Sequence, residues 1–259
     1  MNPRAGGLTM RRDAWWLQPT VVFLGLGAFI VYATWAAFQG VNYAWGPYLS
    51  PLYSPLVFGP HSWFGAQPAW WPGWLVFSPA LVILWAPGGF RVTCYYYRGA
   101  YYKAFWADPP NCTVREPRKT YWGERRFPLI WQNVHRYFMY LALLFLVDLF
   151  YDFVRSLRWP DAAHPGHLVW GLGLGSLVLF VNWALLTGYT LGCHSLRHLL
   201  AGGRDHLSAV PTRAKLYDCA SCLNRRHMMW AWMSLFWVAF ADFYVRICAM
   251  GLIRDWRIF

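Results

Sequence analysis

Runs of roughly twenty apolar residues, each long enough for a helix to cross the hydrocarbon core of a membrane, alternate along the chain with stretches that carry the charges. They predict spans at about 19–38, 70–87, 128–150, 167–190 and 227–250. The first begins at Pro19, a residue tolerated in a first turn, between the interfacial candidates Trp15, Trp16 and Trp35. Pro79 interrupts the second, and Pro160 and Pro165 mark a short turn between the third and fourth. The expected fold class is therefore an all-α integral membrane protein, a bundle of five transmembrane helices forming one domain over 1–259.

Charge then orients the bundle. Arg4, Arg11 and Arg12 precede the first span, whereas 39–71 contains no Lys, Arg, Asp or Glu and is rich in Pro, Gly, Trp and Tyr. That stretch reads as an outer loop lying against the headgroup layer. The loop 91–126 holds eight basic and three acidic residues, and the loop 191–226 holds six and two. Of the 23 Lys and Arg, 17 fall in these two loops and the N-terminal segment, which places the N-terminus in the cytoplasm and the C-terminus outside. No cleavable signal pattern follows Arg12, so the first span is expected to be retained.

Composition agrees: 58% hydrophobic, 20% aromatic and 13% charged is not the balance of a soluble globular domain. The net charge of +12 is accounted for by cytoplasmic loops and calls for no nucleic acid. The spans do not pair into halves, which argues against a repeat-built transporter. No dinucleotide fingerprint or soluble flavin domain is present, so the chain does not oxidise a substrate by itself.

The candidate chemistry lies in thiols and imidazoles. Cys94, Cys112, Cys193, Cys219 and Cys222 fall on the cytoplasmic side or its boundary, and Cys248 toward the outer one. A disulfide framework is not expected there. His135, His194, His198 and His227 sit within a turn or two of that boundary, while His61, His164 and His167 are outside and His206 is in a loop. Thiolate with imidazole suits zinc or an iron-sulfur centre, including the Rieske type in which two cysteines hold one iron and two histidines the other. Imidazole pairs alone suit haem b. Cys219 and Cys222 have the gap of a metal knuckle, which is half a site. The sequon at Asn111 is discounted on the cytoplasmic side. Asp148 is an intramembrane acid, and Asp242 with Arg246 has the spacing of an i,i+4 ion pair.

Several motifs in order resemble a known family: Arg91-Val92-Thr93-Cys94-Tyr95-Tyr96-Tyr97-Arg98, Phe105-Trp106, Pro109-Pro110-Asn111-Cys112, Arg126-Phe127-Pro128, Asn133-Val134-His135-Arg136-Tyr137-Phe138, Cys193-His194-Ser195 with Arg197-His198, and Arg226-His227-Met228. From about Phe90 onward the chain resembles the membrane-anchor subunits of mycobacterial-type (type F) succinate dehydrogenases. The resemblance implies a multi-pass protein of the bacterial cytoplasmic membrane. It also implies docking of an iron-sulfur subunit and a flavoprotein subunit on the cytoplasmic face, and contact with membrane lipid. A Rieske-type [2Fe-2S] cluster in the membrane would stand in place of haem and pass electrons to a quinone. Haem b on histidine axial ligands is the alternative.

Within that resemblance the expected metal ligands are Cys94 and Cys112 with His198 and His227, each of these histidines following an Arg. Cys193, His194 and His135 are alternates. Quinone contacts are expected from Arg98, His135 and Tyr137.

Overall fold

The computed structural model describes residues 7–59, 62, 64–65, 67–117, 127, 129–161, 164, 166–202, 206 and 210–259. Arg4, His61, Pro128, Pro165 and the basic run 118–126 fall outside them. The helices are α1 (Leu17–Gln39), α2 (Pro79–Ile83), α3 (Trp85–Val92), α4 (Tyr95–Ala104), α5 (His135–Ser156), α6 (Leu174–Leu191), α7 (His194–Ala201), α8 (Pro211–Asn224) and α9 (His227–Ala249). A 3-10 turn, Leu129–Val134, leads into α5. Two small antiparallel hairpins pair β1 (Ala44–Trp45) with β2 (Tyr48–Leu49) and β3 (Arg158–Pro160) with β4 (Leu168–Trp170).

Four helices are long and apolar enough to cross a membrane: Leu17–Gln39, Ile130–Ser156, Leu174–Leu191 and His227–Ala249. Their faces away from the bundle are apolar and uncovered by protein, with Val31 71% and Val147 70% exposed, which is the surface a lipid tail covers. The first and last predicted spans match α1 and α9 closely. The third and fourth begin later than expected, because 129–134 is a 3-10 turn and 168–170 is a strand.

The second predicted span, 70–87, is not one helix. Residues 70–78 are irregular, and Pro79 opens the five-residue α2 as a tolerated first-turn proline. Pro87 has no N–H to give the Ile83 carbonyl, and the helix breaks at Leu84 into α2 and α3. Together they climb only about 21 Å at 1.5 Å per residue, short of the ~30 Å of a hydrocarbon core. They still carry the chain from the end of the bundle that holds Tyr53 to the end that holds Cys94.

The charge-free segment folds into the bundle instead of lying on a headgroup layer. Tyr48, Ser50, Tyr53 and Ser54 are buried. Tyr48 donates to Asp255 (2.7 Å), whose other oxygen accepts from Gly175 N at 3.0 Å and from Tyr244. The Asp242–Arg246 ion pair forms as the spacing predicts, at 3.3 Å. Ser50 and Tyr32 also donate to Asp242, and Arg246 donates to Val41 O at 2.9 Å. Asp148, with Asp152, takes the Ser54 hydroxyl as partner. Gly40, in the left-handed region at φ 61°, ends α1 and turns the chain into this hairpin.

Gly175 is needed for the hairpin to dock: a Cβ there would lie 2.4 Å from Tyr48 Cε2, and Tyr48 is pinned by Asp255. Gly175→Ala is expected to destabilise the chain by about 1–3 kcal/mol through overpacking, read as a lower midpoint of thermal unfolding in detergent.

Candidate functional site

At the opposite end of the bundle four helix starts meet. Cys94 caps the start of α4 (φ −64°, ψ 130°) and Cys193 caps α7 with almost the same backbone (φ −66°, ψ 137°). Each cysteine closes the preceding helix, its N–H reaching Arg91 O (3.1 Å) or Thr190 O (3.2 Å). Each carbonyl then accepts from the arginine four residues on, Arg98 N at 2.9 Å and Arg197 N at 3.3 Å. His135 is the first residue of α5 and His227 the first of α9. Helix starts carry unpaired N–H groups and a partial positive charge, which favours anionic sulfur.

These four side chains come together. His135 Nε2 lies 3.2 Å from Cys193 Sγ, and Cys94 Sγ lies 3.6 Å from His227 Nε2. Cys94, Cys193 and His135 are buried, and all four line one cavity of ≈ 760 Å³. Phe90 stacks on the His135 ring at 4.8 Å, and Tyr189 stacks on the His227 ring at 5.0 Å. The Arg91 guanidinium also lies over the Tyr189 ring, at 4.8 Å, held by Tyr97 OH (2.9 Å), Ala231 O (3.2 Å) and Ser234 Oγ (3.0 Å). A fixed positive charge therefore sits beside the thiol–imidazole group. Burial pushes the Cys193 thiol above its ordinary range, so the free side chain is a neutral thiol.

The hydrogen bonds assign the His135 tautomer. Thr93 Oγ1 gives its one hydrogen to Gly89 O at 2.7 Å, so at 2.9 Å from His135 Nδ1 it accepts. His135 thus carries its proton on Nδ1 and turns the Nε2 lone pair toward Cys193. That is how a metal-binding imidazole is oriented by an outer partner. His227 Nδ1 is buried without a hydrogen-bond partner among the described residues. Two soft thiols, one imidazole oriented by Thr93 and a second with an orphaned ring nitrogen fit a [2Fe-2S] cluster, which takes two protein ligands per iron. The close contacts pair a cysteine with a histidine, whereas the Rieske pattern divides them by type; the residue set fits, the present pairing is that of the free side chains. Among the described residues no group of three or more His, Cys, Asp or Glu is placed to hold one metal ion.

The placement of the expected residues is mixed. Cys94 and His227 are brought together, and the alternate Cys193 joins them. His135, expected at a quinone and as an alternate ligand, is the fourth member. Cys112 is exposed, with its carbonyl accepting from Arg11 at 3.0 Å, and does not reach the group. His198 is also exposed and meets His194 instead. His194 lines the cavity but touches neither thiol; partial burial, then His198 and Arg197, lower its pKa. Arg98 donates to Gln132 Oε1 at 3.0 Å, and Gln132 lines the cavity; Tyr137 is 68% exposed and does not. Cys219 and Cys222 are exposed on α8. One signal in the chain marks the two grouped cysteines: Cys94-x3-Arg98 and Cys193-x3-Arg197 share a spacing and both follow an apolar helix.

A bundle of membrane-length helices that gathers its thiols and imidazoles at one end has the build of a membrane anchor for a redox enzyme. The family model for the actinobacterial succinate dehydrogenase subunit SdhC matches residues 17–251, and the chain belongs to that family. It is similar, at 40% identity and a TM-score of 0.87, to a chain of the Mycobacterium smegmatis Sdh1 complex in the apo form, with 100% of this chain and 97% of that one covered. No curated protein sequence matches it. The protein is thus a membrane-anchor subunit of an actinobacterial succinate dehydrogenase complex.

Proposed function

We propose that this anchor holds a [2Fe-2S] cluster on Cys94, Cys193, His135 and His227, between a partner iron-sulfur subunit and a quinone. The convergence of these four side chains, three buried and His227 half-buried, from four separate helix starts on one cavity carries the reading. When bound, the cluster supplies one-electron transfer. The chain's own residues do the rest: Thr93 orients His135, Phe90 and Tyr189 exclude water from the imidazoles, and the Arg91 charge favours an electron arriving nearby.

The cavity continues from the cysteines past Tyr95, Tyr96 and Ala100 to Pro19 and Val22 at the start of α1. An apolar slot with a few polar groups, among them Gln132 and Asn111, suits a quinone ring and its two oxygens. The end bearing α4, α7 and α8 carries the basic loops, so it faces the cytoplasm and docks the iron-sulfur and flavoprotein subunits. The start of α1 lies at this end, with Trp15 O accepting from Asn111 Nδ2 at 2.9 Å, which supports an N-terminus on the inside. The α2–α3 segment then serves as a short fifth crossing, leaving the C-terminus outside.

The test is a low-temperature EPR spectrum of the dithionite-reduced complex, with optical spectrum, iron and acid-labile sulfide taken on the same sample. A signal of low average g that disappears in Cys94→Ser supports the cluster. A Soret band with no such signal would move the assignment to haem b, although each buried imidazole here faces a thiol, which a bis-histidine haem site does not need. Thr93→Val is expected to keep the cluster but weaken its retention about 10-fold or more, measured as iron lost to a chelator over time.

A further inference from the structure

His194 and His198 stand apart from the four grouped residues. They are four apart on α7, which puts them on one helix face, and both are exposed. Their Nε2 atoms are 2.9 Å apart, with the rings at 83° and their centroids at 4.4 Å. A tetrahedral zinc ion with bonds of about 2.0–2.1 Å holds two nitrogens roughly 3.3 Å apart. The two imidazoles therefore need only a small ring rotation to chelate one ion, on a helix that already fixes their spacing.

We propose that His194 and His198 form a two-imidazole site for a divalent transition-metal ion, Zn²⁺ in the first instance, at the solvent rim of the cavity. Arg197 lies between them in sequence but not in space. Its guanidinium is turned onto α8 and donates to Ser221 Oγ (3.1 Å), Asn224 Oδ1 (3.0 Å) and Tyr217 OH (3.0 Å). That turns its guanidinium away from the two imidazole nitrogens, although its charge is still felt at His194. Imidazole selects Zn²⁺, Ni²⁺ and Cu²⁺ over Mg²⁺ and Ca²⁺, which require oxygen ligands. With only two protein ligands the remaining positions go to water, so the ion exchanges freely. Because His194 also lines the cavity, an ion held there narrows the way in; this consequence rests on the cavity being the quinone site.

The experiment titrates the detergent-purified, assembled complex with Zn²⁺ in metal-buffered solution. His198→Ala and His198→Gln are run beside it, and iron content and the EPR spectrum are checked in each. The expected result is one Zn²⁺ per anchor chain, with affinity at least tenfold weaker in both variants and iron unchanged. Succinate-driven quinone reduction is slowed by Zn²⁺ in the wild type and not in the variants, while reduction of a dye that accepts electrons upstream of the anchor is unaffected. Equal Zn²⁺ affinity in wild type and variants would overturn the site. Loss of iron in either His198 variant would overturn it as well, by showing that His198 belongs to the cluster. Zn²⁺ binding that depends on His198 but leaves quinone reduction unchanged keeps the metal site and overturns the rim position. A failed cluster reading appears separately, as an EPR signal absent before any Zn²⁺ is added.

Discussion

Cys193→Ser is expected to give a complex that assembles and passes electrons from succinate to a dye upstream of the anchor. On the proposed ligand set its [2Fe-2S] signal is expected to be lost and its quinone reductase rate to fall by about 100-fold. The reason is local. Cys193 is 1% exposed and at 3.2 Å from His135 Nε2, with no other thiol placed to replace it except Cys94, which is already a member of the group. Serine fills the space but offers a hard hydroxyl where iron requires a soft thiolate. Cys112→Ser, at an exposed position outside the cavity lining, leaves the signal and the rate unchanged. The comparison of the two variants separates the site seen in the fold from the one expected from motif order. An unchanged signal in Cys193→Ser would falsify the assignment.

Asp242→Asn is expected to cost about 3–5 kcal/mol, the range seen when one partner of a buried ion pair is removed. Asp242 and Arg246 are both essentially inaccessible, so the arginine left behind cannot recover water. The loss spreads, because Asp242 also accepts from Tyr32 on α1 and from Ser50 after β2, and Arg246 ties Val41 O in the α1–β1 connection. One carboxylate thus joins α1, the hairpin and α9. The check is the thermal midpoint of the detergent-solubilised complex, together with the amount of anchor recovered in membranes. Asp242→Leu combined with Arg246→Met, which leaves no buried charge, is expected to recover part of the loss. A midpoint for Asp242→Asn equal to wild type would mean that the pair is solvated and not structural.

Much of the fold was legible because a membrane span is a local property of sequence. The runs that became α1 and α9 are uninterrupted and flanked by charge or aromatics, and length with hydropathy suffices for those. The Asp242–Arg246 pair is an i,i+4 relation within one helix, and it too was readable in advance. The segment 70–87 was legible as apolar but not as two short helices, because hydropathy does not register a missing N–H. Pro79 delays the helix start and Pro87 removes a bond across the α2–α3 break, and both leave the composition apolar. The charge-free loop failed for a related reason: nothing in its residues says that Ser50 and Ser54 find acids on α9 and α5.

The sequence by itself determined a multi-span helical protein with five of its six thiols, four of its eight imidazoles and its basic loops assigned toward one end, since polarity and span length are written residue by residue. Which of those side chains meet was decided only by tertiary packing. Cys94, His135, Cys193 and His227 are separated by dozens of residues, and Cys112 and His198 lie in equally suggestive motifs. The packing of α5 against α3 and α6, and of α9 against α6, brings four helix starts to one level and leaves the start of α7 exposing His194 and His198. A motif sets the residue type and its local backbone, but a ligand set is a distance between elements, and only the packed helices fix that.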